Sequence, residues 1–445
     1  MASAGIEADL PSGPSLSPTE TTFRWLADPF GLLDACAADL GDRFALHFNR
    51  FGSHVVVSHP DDVRAVFAGD PDTLLAGRGN ALLEPILGTH SLLLADGDRH
   101  AEERMRLIPA FRPDGMPAYA RLVVEATRRW TASWDDGATV SVQRTALAIS
   151  REVILRAVLG LDDGEVDELI HLVERLMVLV GTNAPFDDDG RSGRVTARLL
   201  AARGDLVGAL RRIVARRRRS GDHRRDDVLS TLLGVGNGAR RPLADDEIED
   251  QLVTMILAGH ETTASSIAWA LIALLANGAA HDRLLAEVGD GRKARDDDDV
   301  AAAPYLQAVC LETLRLFPVV PIVAREVARP FRLRNRWIPP GVFVTPCAYL
   351  AHRRPDSFAE PTAFRPERFL GHRFPPNVYF PFGGGVRRCL GMGFALLEMQ
   401  IVLGMLVRAF RFRAADPRPV RPVRRAVTIV PSGMTRMTIE RRTAA

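Results

Sequence analysis

At 445 residues, 47% of them apolar and 25% charged, the chain can bury a large core and has the balance of an ordinary globular protein. A formal net charge of +2 provides no global field for nucleic acid or a membrane surface. The four cysteines, Cys36, Cys310, Cys347 and Cys389, are widely spaced and show no CxxC pairing, which argues against a disulfide scaffold and for a reducing, cytoplasmic compartment.

Residues 1–22 have neither a basic start nor an apolar stretch, so they read as a disordered leader rather than a signal peptide or membrane anchor. Residues 23–445 are then expected to form a single domain. Short β-branched runs at 44–48 and 54–57 predict strands, and apolar spacing predicts helices over 61–69, 117–134 and 143–160. Helical patterning dominates from 163 to about 317, broken by Gly- and charge-rich loops at 186–193, 234–245 and 289–300. Arginine runs at 211–219 and 224–225 could form a nucleic-acid arm, but acidic residues balance them elsewhere, and the reading is a solvated helix face.

The apolar run 252–276 reaches membrane-spanning length, yet His260, Glu261, Thr262, Thr263, Ser265 and Ser266 interrupt its middle, so it predicts a buried helix crossing a large domain. Near the end, 426–430 and 437–440 flank Pro431-Ser432-Gly433, which predicts a hairpin. The fold class is mainly α with small β-sheets.

Chemistry concentrates in Pro381-Phe382-Gly383-Gly384-Gly385-Val386-Arg387-Arg388-Cys389-Leu390-Gly391, which has four glycines and one cysteine and opens a helical run from Met392. Glycines without Cβ let a backbone lie against a flat ligand and take positive φ. A helix beginning just after Cys389 favours negative charge on its sulfur. Taken alone, such a cysteine is more often an inert core residue than a ligand. In the long helix, Ala258-Gly259-His260-Glu261-Thr262-Thr263 places an acid and two hydroxyls mid-helix. There Thr262 can bond back to the Ala258 carbonyl, and Gly259 omits a side chain where a small ligand could sit.

Phe382-x-x-Gly385-x-Arg387-x-Cys389-x-Gly391 resembles, at every defined position, the haem-binding signature of the cytochrome P450 family. Ala258-Gly259-x-Glu261-Thr262-Thr263, about 130 residues earlier, resembles that family's distal-helix motif. Glu312-x-x-Arg315 and Pro366-Glu367-Arg368-Phe369 resemble its buried charge network, and His100-x-x-x-Arg104 resembles a pair that soluble bacterial members hold over the haem propionates. The resemblance spans roughly residues 25 to 440.

It implies the family's fold, with haem b between the distal helix and the cysteine loop, and Cys389 as the iron ligand. Arg387, His100, Arg104 and Arg325 would bind propionates, with Phe382, Gly383, Ala258 and Gly259 also lining the cofactor. Glu261 and Thr262 would be catalytic, relaying protons to dioxygen, and Glu312, Arg315 and Arg368 would form the structural network. A thiolate ligand favours O–O cleavage, so the implied activity is a monooxygenase that hydroxylates or epoxidises an apolar small molecule. A natural-product intermediate such as a polyketide, macrolactam or terpenoid, or a fatty acid, is the expected substrate class.

The chain continues only about fifty residues past Cys389, so electrons are expected from a separate ferredoxin and its NAD(P)H-dependent reductase. Arg388, Arg106 and Arg112 are the expected docking residues, and segments 74–95, 176–200, 318–324 and 432–434 the expected substrate lining. A peroxygenase using H₂O₂ and a non-catalytic thiolate-haem protein are the alternatives. One departure from the family pattern is His352-Arg353-Arg354-Pro355, where many members carry an acid before the proline.

Overall fold

The computed structural model describes residues 10–161, 163–181, 192–221, 227–234, 241–289, 300–416 and 418–442. Helices dominate. The longest, Asp245–Ala276, begins seven residues before the apolar run because Asp245, Asp246 and Glu247 occupy its first turn, where carboxylates meet the positive end of the helix dipole. Of its 32 residues 22 are buried, so tertiary packing rather than helix propensity sustains a segment holding two mid-helix threonines and a glycine. This distal helix packs along Val142–Leu159, against Pro304–Leu316 and against Met392–Ala409, forming one continuous apolar core.

The predicted helices fall at Pro60–Phe67, Met116–Thr131 and Val142–Leu159. Ser141 caps the last of these at its start, and Gly160, at φ 59°, ends it in the left-handed conformation that glycine adopts freely. The predicted strands form the hairpin Arg43–Phe48 and Gly52–Val57, which continues into a five-stranded sheet through Phe343–Pro346, Arg325–Val327 and Leu74–Leu75. Arg325 is thereby fixed on a strand beside the cysteine loop's neighbours.

Three expectations are corrected. Within the expected leader, residues 10–22 are folded: Ser17 and Glu20 form a reciprocal capping box that starts the helix Pro18–Ala27, and Leu10 packs on a small core. Residues 1–9 lie outside the described residues.

The C-terminal segments do not pair with each other. Thr428–Pro431 pairs with Pro422–Arg425, while Arg436–Arg441 joins a sheet with Phe410–Ala414 and Thr139–Ser141. Between them Gly433–Thr435 makes a 3₁₀ turn with Thr435 buried, too wide for a two-residue hairpin.

The arginine run is not uniformly solvated. Arg217 is buried, donating to Asp227, Ser230 and the Leu159 carbonyl. Arg211 is bidentate on Glu249, and Arg218 meets Asp245. The helix Ser192–Ser220 is therefore zipped onto the start of the distal helix; residues 224–225 lie outside the described residues.

Among the described residues one helix, Met392–Ala409, is long and apolar enough by itself to cross a membrane, and most of it is buried inside the protein.

Candidate haem-thiolate site

The cysteine loop is wound tightly by its own backbone. Cys389 N–H donates to the Phe382 carbonyl at 2.9 Å and Arg388 N–H to the Gly385 carbonyl at 3.1 Å. Gly385 has φ 64°, and a Cβ there would lie 2.2 Å from the Phe67 carbonyl oxygen, so glycine is required both by conformation and by space. Cys36, Cys310 and Cys347 are buried, whereas Cys389 is exposed. It is enclosed enough for burial to push its thiol above the ordinary value, opposed by the Gly391 N–H and by Arg104 and Arg388. Burial thus opposes the negative charge that the helix start favours, and deprotonation would be completed by the cation that binds the sulfur.

Four basic side chains converge beside the loop. His100 is buried, and burial, Arg387, Arg104 and Arg325 together push it down to about 4. Burial also lowers Arg325 to about 10, and its only described hydrogen bond runs to the carbonyl of Ala324. Arg387 donates to Asp96 at 2.5 Å and to the carbonyls of Leu92 and Ala95. Asp96 also accepts from Gly77 N–H at 2.7 Å, tying the cluster to the segment near residue 77. One carboxylate among three guanidinium groups and an imidazole leaves a strong surplus of positive charge at a half-buried place. That is a receptor for further carboxylates.

On the distal helix, Met255, Ala258, Gly259 and Thr262 break an otherwise buried stretch. Their spacing of i, i+3, i+4 and i+7 puts them on one face. Thr262 Oγ1 donates to the Ala258 carbonyl at 2.9 Å, as its position predicts, and Thr263 and Ser266 repeat the bond one turn on. Gly259 differs from expectation: a Cβ would lie 2.6 Å from Ile154 Cδ1, so its missing side chain admits the neighbouring helix rather than a small ligand. The open surface belongs to Ala258 and Thr262.

Glu261 is buried, its carboxyl pushed up by burial and pulled back by Arg425, whose Nε lies 3.1 Å from Oε1. The Glu261 Oε1 lacks an aligned hydrogen bond, so the contact is an ion pair without hydrogen-bond geometry.

Glu312 and Arg315 are fully buried and bidentate, at 2.7 and 2.8 Å. Arg315 also donates to the carbonyls of His352, Pro361 and Ala363, and Glu312 accepts from Arg368 at 3.1 Å and from Arg365 N–H at 2.7 Å. Sequence reasoning had left His352 as a departure and passed over Asp96 and Arg425. Only Asp96, four residues before His100 in the chain, offered a local signal.

The family profile described as Cytochrome P450 matches residues 11–435. The chain belongs to the cytochrome P450 family. It is 34% identical over 436 residues to cytochrome P450 135A1 of Mycobacterium tuberculosis, covering 96% of this chain and 94% of that protein. It is 33% identical over 426 residues to cytochrome P450 135B1 of Mycobacterium bovis, covering 95% and 89%. Two solved structures share the fold at a TM-score of 0.85: retinoic acid bound cyanobacterial CYP120A1, at 24% identity over 97% of this chain and all of that one, and the cytochrome P450DA heme domain, at 20% over 98% and 99%.

This P450 is a haem-thiolate monooxygenase of mainly helical fold with small sheets, and members of the family bind haem iron through a cysteine thiolate. The residues present fit that cofactor: an exposed cysteine on a glycine-lined loop, a basic cluster suited to two carboxylates, and an open strip on the distal helix.

Proposed function

We propose that this P450 inserts oxygen into an apolar small molecule, with Cys389 as the ligand that holds haem. The observation that carries this reading is the open surface of Ala258 and Thr262 on one face of a buried helix, in a chain whose one exposed cysteine is Cys389. When bound, haem supplies dioxygen activation and the oxidising chemistry. Arg387, Arg325, Arg104 and His100 would hold its carboxylates, and Phe382, Gly383 and Ala258 would line its site.

Thr262 has a hydroxyl on the open face, and Glu261 has a carboxyl reached from outside through Arg425, itself half-exposed. Burial raises the Glu261 carboxyl and Arg425 only partly offsets this, so Glu261, with one oxygen lacking an aligned donor, is the group that would take up and release the proton beside Thr262. The combination of acid and hydroxyl favours electron-driven dioxygen activation over direct use of H₂O₂.

Glu312, Arg315 and Arg368 position the cysteine loop and touch no substrate. The substrate wall is assigned to 74–95, 318–324 and the ends of the helices Asp163–Gly181 and Ser192–Ser220; residues 182–191 of the expected 176–200 segment lie outside the described residues. Its apolar character fits a natural-product intermediate or a fatty acid.

Electrons would come from a separate ferredoxin with its NAD(P)H-dependent reductase, docking at exposed Arg388 and Arg112, where basic groups meet an acidic partner. Arg106 is withdrawn from that surface, because it is buried and donates to the Arg241 carbonyl. Four free cysteines support a reducing, cytoplasmic setting.

The experiment is to screen lipophilic compounds for the spectral shift of ferric haem on substrate entry, then compare the parent with Thr262→Ala. The variant should still consume reductant but release peroxide in place of product, by ten-fold or more in coupling. Equal coupling in both would refute the assigned role of Thr262, and full activity with H₂O₂ alone would favour the peroxygenase reading.

A further inference from the structure

A surface cleft of about 470 Å³ shares no residue with the haem site. It lies where the strand Thr139–Ser141 runs into the helix Val142–Leu159, with Arg436 on the adjoining strand. Arg436 stands opposite Ser141 across the sheet, and Ser141 accepts the Arg144 N–H at 3.3 Å through its hydroxyl. The capped turn and the adjoining strand thus bring Arg144 and Arg436 to the same cleft. No carboxylate lines it, and the first turn of the helix carries no acid. Neither Arg144 nor Arg436 has an ion pair among the described residues.

The remaining walls are Val140, Thr139, Thr145 and Trp134. Trp134 is only 5% exposed, and its indole N–H makes no hydrogen bond among the described residues and keeps contact with solvent, so the cleft wall offers a donor without a partner. Two unpaired guanidinium groups and the positive end of an 18-residue helix act with the same sign. The volume is within the range of small-molecule sites, roughly 300–1,000 Å³.

We propose that this cleft binds a small organic anion, a carboxylate carried on an aromatic or short alkyl body. The carboxylate sits between Arg144 and Arg436, and the body lies along Trp134 and Val140. The indole N–H and the two threonine hydroxyls complete the polar contacts. The site is separate from the haem, so its ligand need not be the substrate.

The test uses the haem-loaded enzyme with its haem pocket filled by an azole, titrated calorimetrically with 2-naphthoate. One saturable site is expected, weakened at least ten-fold in Arg144→Ala/Arg436→Ala and weakened by rising salt, while neutral 2-naphthamide binds at least ten-fold less tightly. A second variant, Arg144→Lys/Arg436→Lys, should retain most of the affinity and separates loss of charge from loss of fold. No saturable binding at millimolar naphthoate, unchanged affinity in the alanine pair, or equal binding of the amide would each overturn the proposal. The azole's own spectral signature reports the haem site independently, so failure of one reading leaves the other measurable.

Discussion

His352 Nε2 accepts the backbone N–H of Phe380 at 2.9 Å while the His352 carbonyl accepts from Arg315 at 2.7 Å. One residue therefore joins the buried charge core to the chain entering the cysteine loop. Acceptance through Nε2 requires a neutral ring with its proton on Nδ1. His352→Phe keeps the ring volume but leaves the Phe380 N–H buried and unpaired. The expected cost is about 1–3 kcal/mol in denaturant unfolding, together with faster haem transfer to a scavenging apoprotein. Unchanged stability and haem retention would show that the link carries no load.

Arg315 makes five described hydrogen bonds from a fully buried side chain. Replacing it with Ala leaves three carbonyls without this donor and Glu312 with only Arg368 and the Arg365 N–H as partners. Breaking one partner out of a buried ion pair costs about 3–5 kcal/mol, a large fraction of the roughly 5–15 kcal/mol by which native proteins are stable. Arg315→Ala should accumulate as haem-free or aggregated protein, and Arg315→Lys should rescue little, because an ammonium cannot reproduce the planar fork. Soluble expression with full haem content in either variant contradicts this.

The pH dependence of stability has opposing contributions. Burial followed by Arg315 and Arg353 holds His352 well below its ordinary value of 6.5, and burial followed by Arg151 holds His260 at about 3. Between those folded values and 6.5 the unfolded chain binds more protons, so stability is lost as pH falls below about 6.5, by up to ~1.4 kcal/mol per pH unit for each ring.

Glu398 runs the other way. It is fully buried, pushed up to about 8, and bonded by the Ser150 hydroxyl. Its contribution is complete below 4.5 and is lost as pH rises toward 8. Glu398→Gln should flatten the decline between pH 6 and 8 in thermal melts while leaving the acid limb in place. An unaltered profile would mean that Glu398 does not titrate in that window.

Much of this was legible in the chain because local rules and the family pattern coincide. The distal helix, its Thr262 back-bond and the Glu312–Arg315 pair depend on residues three or four apart, and spacing alone fixes them. The cysteine loop was legible because its glycines leave a signature in sequence. What was missed depends on contacts distant in sequence. Arg425 reaches Glu261 from a strand more than 160 residues away, Ile154 uses the room beside Gly259, and the strand Arg436–Arg441 prefers two partners inside a sheet to a hairpin with its neighbour. The folded state of residues 10–22 was hidden because a capping box is a two-residue signal within a polar stretch.

The identity of the haem ligand is tested most directly by the ferrous carbon monoxide spectrum of the parent and of Cys389→His. The parent should show the red-shifted Soret band of a thiolate-ligated haem. Cys389→His should lose that band and monooxygenase activity while retaining some haem in an imidazole-ligated form. A thiolate band persisting in Cys389→His would place the ligand on Cys36, Cys310 or Cys347 and contradict the assignment of the site.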